Sequence, residues 1–472
     1  MNLLRLTVAA ALAVAAAGCL SQGQGQEGHD PVPGTGTGPK ETRAAVAPVP
    51  DPLPRAFLSV VDGDTGERVD GATIELAGTI LRTNSAGLAA TPRIDLEKPR
   101  VRVSAPGYIP RLTRIRLPGR VTVYRRDLQW PMFGANPART QVHPAIDLKP
   151  PFRVVWQRGV KSLIEFPAVV WEGVAYVNTL RGWTYALSMR NGRVLWRRRV
   201  GTRMAASPGI DTENRLLVIP TMNPGYVSVL SLDRGRVVWR YYTGRTEPSP
   251  VVRDGIAYLA AQNGNVYALD LRRRRAAWIT GGAAKITSSP ALAGNRLYVG
   301  DYSGRVYALA ARTGRRIWSG SAGSRVYGTV AVAGGRVFAP SVFSGMSALS
   351  ARTGRLLWRV PLGSYGYSAP AVYRGRVYFG SYSGTVYAAS AASGRILWTG
   401  SAGGSVSGAV QVVAGVVYAG SFGHRITAWH WRTGKRLWTF PHGEYVAVSG
   451  NGGRLLMHGF SRIWAVEPKR PR

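Results

Sequence analysis

The sequence predicts an all-β chain: an eight-bladed β-propeller of four-stranded blades, preceded by a small unit of short alternating strands. Three observations carry this. Tryptophans at Trp156, Trp196, Trp239, Trp278, Trp318, Trp358, Trp398 and Trp438 are spaced by 40, 43, 39, 40, 40, 40 and 40 residues. A fixed period of that size means one supersecondary unit stacked on copies of itself. Within a period such as residues 288–320, four apolar runs (SPALA, RLYVGDY, RVYALAA, RRIWSG) are separated by Gly-Asn, Ser-Gly and Thr-Gly, the pattern of antiparallel strands joined by tight hairpins. Helical repeats of similar period need apolar runs of roughly ten residues at 3.6 spacing, which this chain lacks. The third observation is the bookkeeping of ends. After Trp438 only three strands remain (VAVS, RLLMHG, RIWAVE), and the missing fourth, FRVVWQRG at 152–159, precedes the first full unit. Residues 152–159 are therefore expected to pair with 446–466, closing the ring and covering edges that would otherwise template aggregation.

The elements follow in order. Residues 1–19 carry one Arg, about a dozen small or apolar residues and then Ala-Ala-Gly-Cys. That run is too short for a spanning helix, which needs about 20 apolar residues, and reads as a cleaved signal peptide. Cys19, the one cysteine of the chain, stands where a bacterial lipoprotein signal needs a thiol to take the diacylglyceryl group. The expected location is extracytoplasmic, tethered to a membrane by lipid. Residues 20–54 are rich in Gly, Pro, Thr and Gln and cannot bury a core, so they read as a flexible tether. Residues 55–126 alternate in short strands with turn punctuation. Residues 127–472 hold the propeller.

The phrases VYALAARTGRRIW, MSALSARTGRLLW, VYAASAASGRILW and ITAWHWRTGKRLW resemble the pyrroloquinoline-quinone-type repeat. The entry segment WPMFGANPARTQ at 130–141 is similar to the stretch preceding many such propellers. The resemblance implies eight blades with each Trp packed between neighbours. It also implies two classes of relative, quinone-dependent dehydrogenases and non-catalytic envelope proteins, and the repeat alone does not choose between them. VDGDTGERVDGATI and SAPGY in 55–126 resemble the carboxypeptidase-regulatory-type domain, which implies a small Ig-like β-sandwich ahead of the propeller, acting as a spacer or adhesion module. Asp62, Asp64 and Asp70 there read as turn residues rather than a calcium site, which wants about six oxygens or more.

The resemblance implies that an enzyme of this fold brings a calcium cage of carboxylate and amide groups, a catalytic Asp and often a vicinal cysteine pair. The propeller has no cysteine. Glu165, Glu247 and Glu444 precede first strands, and Asp301 sits at a turn, without an acid/base pairing. His424, His430, His442 and His458 lack metal-ligand spacing. No quinone, metal or catalytic residue is therefore expected. The leading reading is a non-catalytic, monomeric envelope lipoprotein whose propeller is an interaction scaffold. The alternatives are a quinone- or metal-dependent oxidoreductase and a small-anion-binding sensor.

Charge points to the partner class. The net charge is +37, of which residues 130–472 carry +33. Such a field attracts polyanions. Envelope proteins, anionic lipids or anionic envelope polymers are expected, and nucleic acid is not, because an exported protein seldom meets it. Within otherwise identical repeats, Lys161, Arg203, Arg245, Lys285 and Arg325 precede the first strands of blades one to five, with Tyr365, Ser405 and Tyr445 at the corresponding places of the others. These residues are expected to ring one mouth of the axial channel as an anion-binding site.

Overall fold

The computed structural model describes residues 56–92, 94 and 96–469. Cys19 and the 20–54 tether lie outside the described residues. No helix among the described residues is long and apolar enough to cross a membrane.

Residues 57–125 form two four-stranded sheets. One is ordered Leu88–Ala90, Phe57–Asp62, Gly119–Arg125, Tyr108–Ile109, and the other Thr79–Arg82, Thr73–Leu76, Arg100–Ser104, Arg111–Arg114. Period-two alternation sends Leu58, Val60, Ile74, Leu76, Val101, Val103, Val121 and Val123 into one shared core, as a half-buried strand demands.

The ring has eight blades, each built on four antiparallel strands, and the sheet of the seventh gains a short fifth strand, Val142–His143. Blade 1 runs from strand A to strand D as Val169–Trp171, Val174–Asn178, Trp183–Ser188 and Val194–Arg199. Blades 2 to 7 repeat this at 209–242, 251–280, 291–321, 331–360, 371–401 and 411–440. Blade 8 takes strands A to C from Val448–Gly450, Leu455–His458 and Arg462–Pro468, and its D strand is Phe152–Gly159. The pairing runs from Phe152 opposite Pro468 to Gly159 opposite Arg462. Several A–B hairpins put two consecutive residues at positive φ, as at Arg374 (46°) and Gly375 (74°), the backbone of a type I′ turn.

Each repeated Trp sits just beyond a β-bulge in strand D; in blade 1, for instance, Ala186 faces Trp196 and Leu187 faces Val194. The extra residue twists the strand, and the indole lies across the gap to the next blade. The indole N–H of Trp156, Trp196, Trp278, Trp318, Trp358 and Trp398 donates to a carbonyl at the end of the next blade's strand C, at 2.8–3.1 Å. The C–D-turn glycine of that blade lies flat against the ring: a Cβ on Gly354 would come 2.5 Å from Trp318 Cε3. Both exceptions have a local cause. Trp239 faces blade 3, where Arg274 (φ 54°) stands in the glycine's place. Trp438 faces blade 8, whose C–D turn does not exist because its D strand comes from elsewhere, and there Phe152 packs edge-on at 5.2 Å.

Candidate functional site

The segment before the ring does more than lead into it. Residues 130–143 run inside the circle of A strands and hydrogen-bond to one blade after another. Val170 and Trp130 exchange two bonds, Ile210 N–H donates to Pro131 O, Leu292 to Pro137 O, Val332 to Ala138 O, Val372 to Thr140 O and Val412 to Gln141 O, at 2.7–3.0 Å. Val142–His143 then pairs in parallel with strand A of blade 7. Blade 3 is reached by Arg139, whose fully buried guanidinium donates to the carbonyls of Ser249, Pro250, Pro290 and Phe133. Burial without a counter-ion pushes Arg139 down to about 9, so it remains a cation at neutral pH. This segment stoppers the channel at the level of the A strands, and Phe133 forms part of the floor of what is left. The sequence expectation treated 130–141 as a lead-in and did not place it in the channel.

Above the stopper is a blind funnel of ≈ 440 Å³ on the side of the D–A loops. Backbone hydrogen bonds set the register of its wall. The carbonyls of Arg203, Arg245, Lys285, Arg325, Tyr365 and Ser405 each accept from the B–C turn of their own blade at 2.8–3.0 Å. In blade 1 the equivalent acceptor is Leu163 O, from Leu180 N at 2.9 Å, so Lys161 falls two residues before the ring to which the sequence assigned it. Tyr445 belongs two residues further in: its carbonyl closes on Gly408 as the carbonyl of Tyr367 closes on Gly328.

Two rings result. The outer one carries Arg203, Arg245, Lys285 and Arg325, all exposed, and none of these four or Lys161 lines the cavity. Lys285 and Arg325 both lie over the ring of Tyr302, at 4.9 and 4.7 Å. The inner ring, two residues on and facing the same way, carries Glu165, Glu247, Thr287, Tyr327, Tyr367, Ser407 and Tyr445, which do line it. Tyr365 also lines the funnel, so of the expected mouth only Tyr365 and Tyr445 face its interior. Carboxyls and phenols make the inner wall, and the cations stay at the rim, where water solvates them.

Glu247 accepts from Gln262 Nε2 at 2.9 Å and from the Tyr327 hydroxyl at 3.0 Å. Glu165 Oε2 is shielded from solvent and has no hydrogen-bond partner. Burial, with the neighbouring Glu247 adding to it and Arg203 opposing, pushes Glu165 up to about 7. Burial likewise raises Glu247. From blade 5 to blade 8 the rings interlock: Tyr327 with Tyr367 at 5.2 Å, Tyr367 with Tyr382 at 5.7 Å, Tyr382 with Phe422 at 5.9 Å and Phe422 with Tyr445 at 4.7 Å.

The other candidates have structural surroundings. Asp301 is buried and accepts from Ser303, the Tyr307 hydroxyl and the backbone N–H of Ala284. Glu444 pairs with His424 at 2.9 Å. His458 is buried, its Nε2 receiving Ala168 N–H at 3.1 Å, and desolvation pushes it down to about 4. Among the described residues no group of three or more His, Cys, Asp or Glu could hold a metal ion. On the opposite rim, Arg296, Arg376 and Arg454 clasp backbone carbonyls of a neighbouring blade's C–D turn. Asp62 caps its own turn through Asp64 N–H and Thr65 N–H, as expected of a turn residue.

A closed eight-bladed ring with indoles docked on the next blade defines the propeller class built from pyrroloquinoline-quinone-type repeats. Residues 150–281 and 262–466 match the family described as outer membrane protein assembly factor BamB, and the chain belongs to that family. Among solved structures it resembles BamB from Moraxella catarrhalis, with TM-score 0.57 and 15% identity over 67% of this chain and 99% of that one. It also resembles quinohemoprotein alcohol dehydrogenase from Comamonas testosteroni, with TM-score 0.63 and 14% identity over 73% and 81%. The computationally designed Ika8 protein matches with TM-score 0.60 and 15% identity over 67% and 100%. At these identities the likeness is one of fold. No curated protein matches the chain.

Proposed function

We propose that this protein is a non-catalytic, lipid-anchored scaffold of the cell envelope whose propeller docks other envelope proteins or anionic envelope polymers and lipids through the rim of D–A loops. The observation that carries the reading is the rim itself. Arg203, Arg245, Lys285 and Arg325 are exposed, and among the described residues none is in an ion pair with a carboxylate, so their field is directed outward. Membership of the BamB family supports an envelope setting. Anchoring through Cys19 and a spacer role for the 55–126 domain belong to the same proposal.

A quinone with its calcium does not suit the funnel. Its carboxyls are Glu165 and Glu247, and Glu247 is already held by Gln262 and Tyr327. Calcium wants about six oxygens or more. A calorimetric titration with pyrroloquinoline quinone and calcium is expected to give no stoichiometric binding, and tight binding overturns the non-catalytic reading. For the rim, the triple substitution Arg245→Ala, Lys285→Ala, Arg325→Ala is compared with Arg315→Ala, Arg355→Ala, Arg395→Ala at the C–D turns. Affinity for anionic vesicles should fall several-fold more in the first set. Equal losses leave only net charge.

A further inference from the structure

The inner wall of the funnel is chemically unlike its rim, and the repeat does not account for the difference. Glu165, Glu247, Tyr327, Tyr367 and Tyr445 occupy one backbone register in five blades, so blade geometry alone demands none of these side chains. From the polarity of this wall we infer that the funnel binds a small zwitterion of the amino-acid or short-peptide class: the ammonium lodges at Glu165 and Glu247, the apolar body lies along the tyrosines, and the carboxylate reaches the rim cations.

Four features converge on that ligand. The funnel's ≈ 440 Å³ is at the low end of the roughly 300–1,000 Å³ typical of small-molecule sites, and the stopper makes it blind, so a ligand is enclosed from one side only. Glu165 Oε2 is buried without a partner, and an unsatisfied buried acceptor is costly unless a donor fills it. An ammonium brings three donors and a full charge. The aromatic crescent from Tyr327 to Tyr445 supplies ring faces that attract a cation and flat surface that takes an apolar side chain. Finally, the two charge layers are stacked. A simple anion passes the rim only to meet carboxyls, and a simple cation is repelled before it arrives. A molecule with its ammonium inside and its carboxylate outside satisfies both.

The test uses the dipeptide Leu-Phe, its N-acetyl form and its C-terminal amide, titrated by calorimetry against the full-length protein. The free dipeptide should bind. N-acetylation should weaken binding at least tenfold because it removes the ammonium, and amidation several-fold because it removes the carboxylate. Glu165→Gln, which keeps the side-chain shape, should match the loss on N-acetylation and bind the free and acetylated forms alike. Tyr367→Ala should weaken all three peptides without changing their ranking. Absence of binding at millimolar dipeptide overturns the proposal, and so does equal affinity for the free and N-acetyl forms. Equal affinity for the free and amidated forms overturns the zwitterion in favour of a chain N-terminus alone. The rim reading is tested separately by the triple substitutions and can fail without this one.

Discussion

A single Cβ separates two kinds of glycine in this ring. Gly354 (φ 75°) has Trp318 Cε3 2.5 Å from where a Cβ would stand, whereas Gly375 (φ 74°) has nothing within 4 Å. Both substitutions to Ala meet the left-handed penalty of about 1–2 kcal/mol, but Gly354→Ala must also move an indole. It is expected to cost at least ~1 kcal/mol more than Gly375→Ala in denaturant titrations. Conversely Arg274→Gly should stabilise the chain by about 1 kcal/mol, since a non-glycine residue is held at φ 54° there. Glu165 makes a pH prediction. Its folded pKa, about 7, lies above its ordinary value of 4.5, so the native state holds the proton more tightly and stability falls as pH rises from about 4.5 to about 7. Glu247, Arg203, Tyr327 and Tyr445 are the charged or titratable groups coupled to it. Glu165→Gln should therefore be more stable than wild type at pH 8, by about 1–3 kcal/mol, and equal to it near pH 4. Thermal melts at the two pH values check this. The two glutamates were legible in the sequence as residues preceding A strands. Their position inside the cations was not, because the 43- and 39-residue intervals and the irregular entry at 160–164 hide a two-residue register that backbone hydrogen bonds define.

At the scale of elements, the regular blades were readable because each strand is a short apolar run bounded by turn residues, and the tryptophan spacing set the count. The 130–143 stopper was unreadable for the opposite reason. It meets each blade it touches through only one or two residues, so it has neither a strand's alternation nor a helix's period, and its Gly and Pro content looks like linker. Its removal should tell. Deleting residues 1–126 is expected to leave a cooperative propeller. Deleting 1–143 removes the carbonyl partners of Val170, Ile210, Leu292, Val332, Val372 and Val412, and deleting 1–160 also removes the D strand of blade 8. Unfolding should lose cooperativity stepwise across the three, and equal melts for the first and last refute the closure. Arg139→Met, which leaves four buried carbonyls without their shared donor, should cost roughly 3 kcal/mol or more.

At the scale of the whole molecule, the sandwich and the ring are fastened by polar contacts seated on glycines. Arg111 and Arg215 both reach Glu172 at 2.8 Å. Asp64 accepts from Gln129 and Asn451, at 2.9 and 2.6 Å. A Cβ on Gly173 would strike the Tyr124 hydroxyl at 2.3 Å, and one on Gly453 the Asp64 carbonyl at 2.0 Å. Gly453→Val should therefore split one calorimetric transition into two, with Gly159→Val, where no atom lies within 4 Å and the backbone is not left-handed, as the control that leaves it single. None of this fastening was visible in the sequence, since Asp64 and Gly453 are nearly 400 residues apart along the chain.

The closure strand also sets a schedule. Residues 130–159 leave the ribosome before any blade exists, yet the stopper's last partners are in blade 7 and Phe152–Gly159 cannot pair until Arg462–Pro468 is made. Until Arg462–Pro468 is available, folded blades can form only an open crescent with an unpaired edge at each end, the condition in which strand edges recruit other chains. A chain ending at residue 460 is thus expected to be a protease-sensitive, aggregating product, and the strand Arg462–Pro468 converts it to a closed ring in one step.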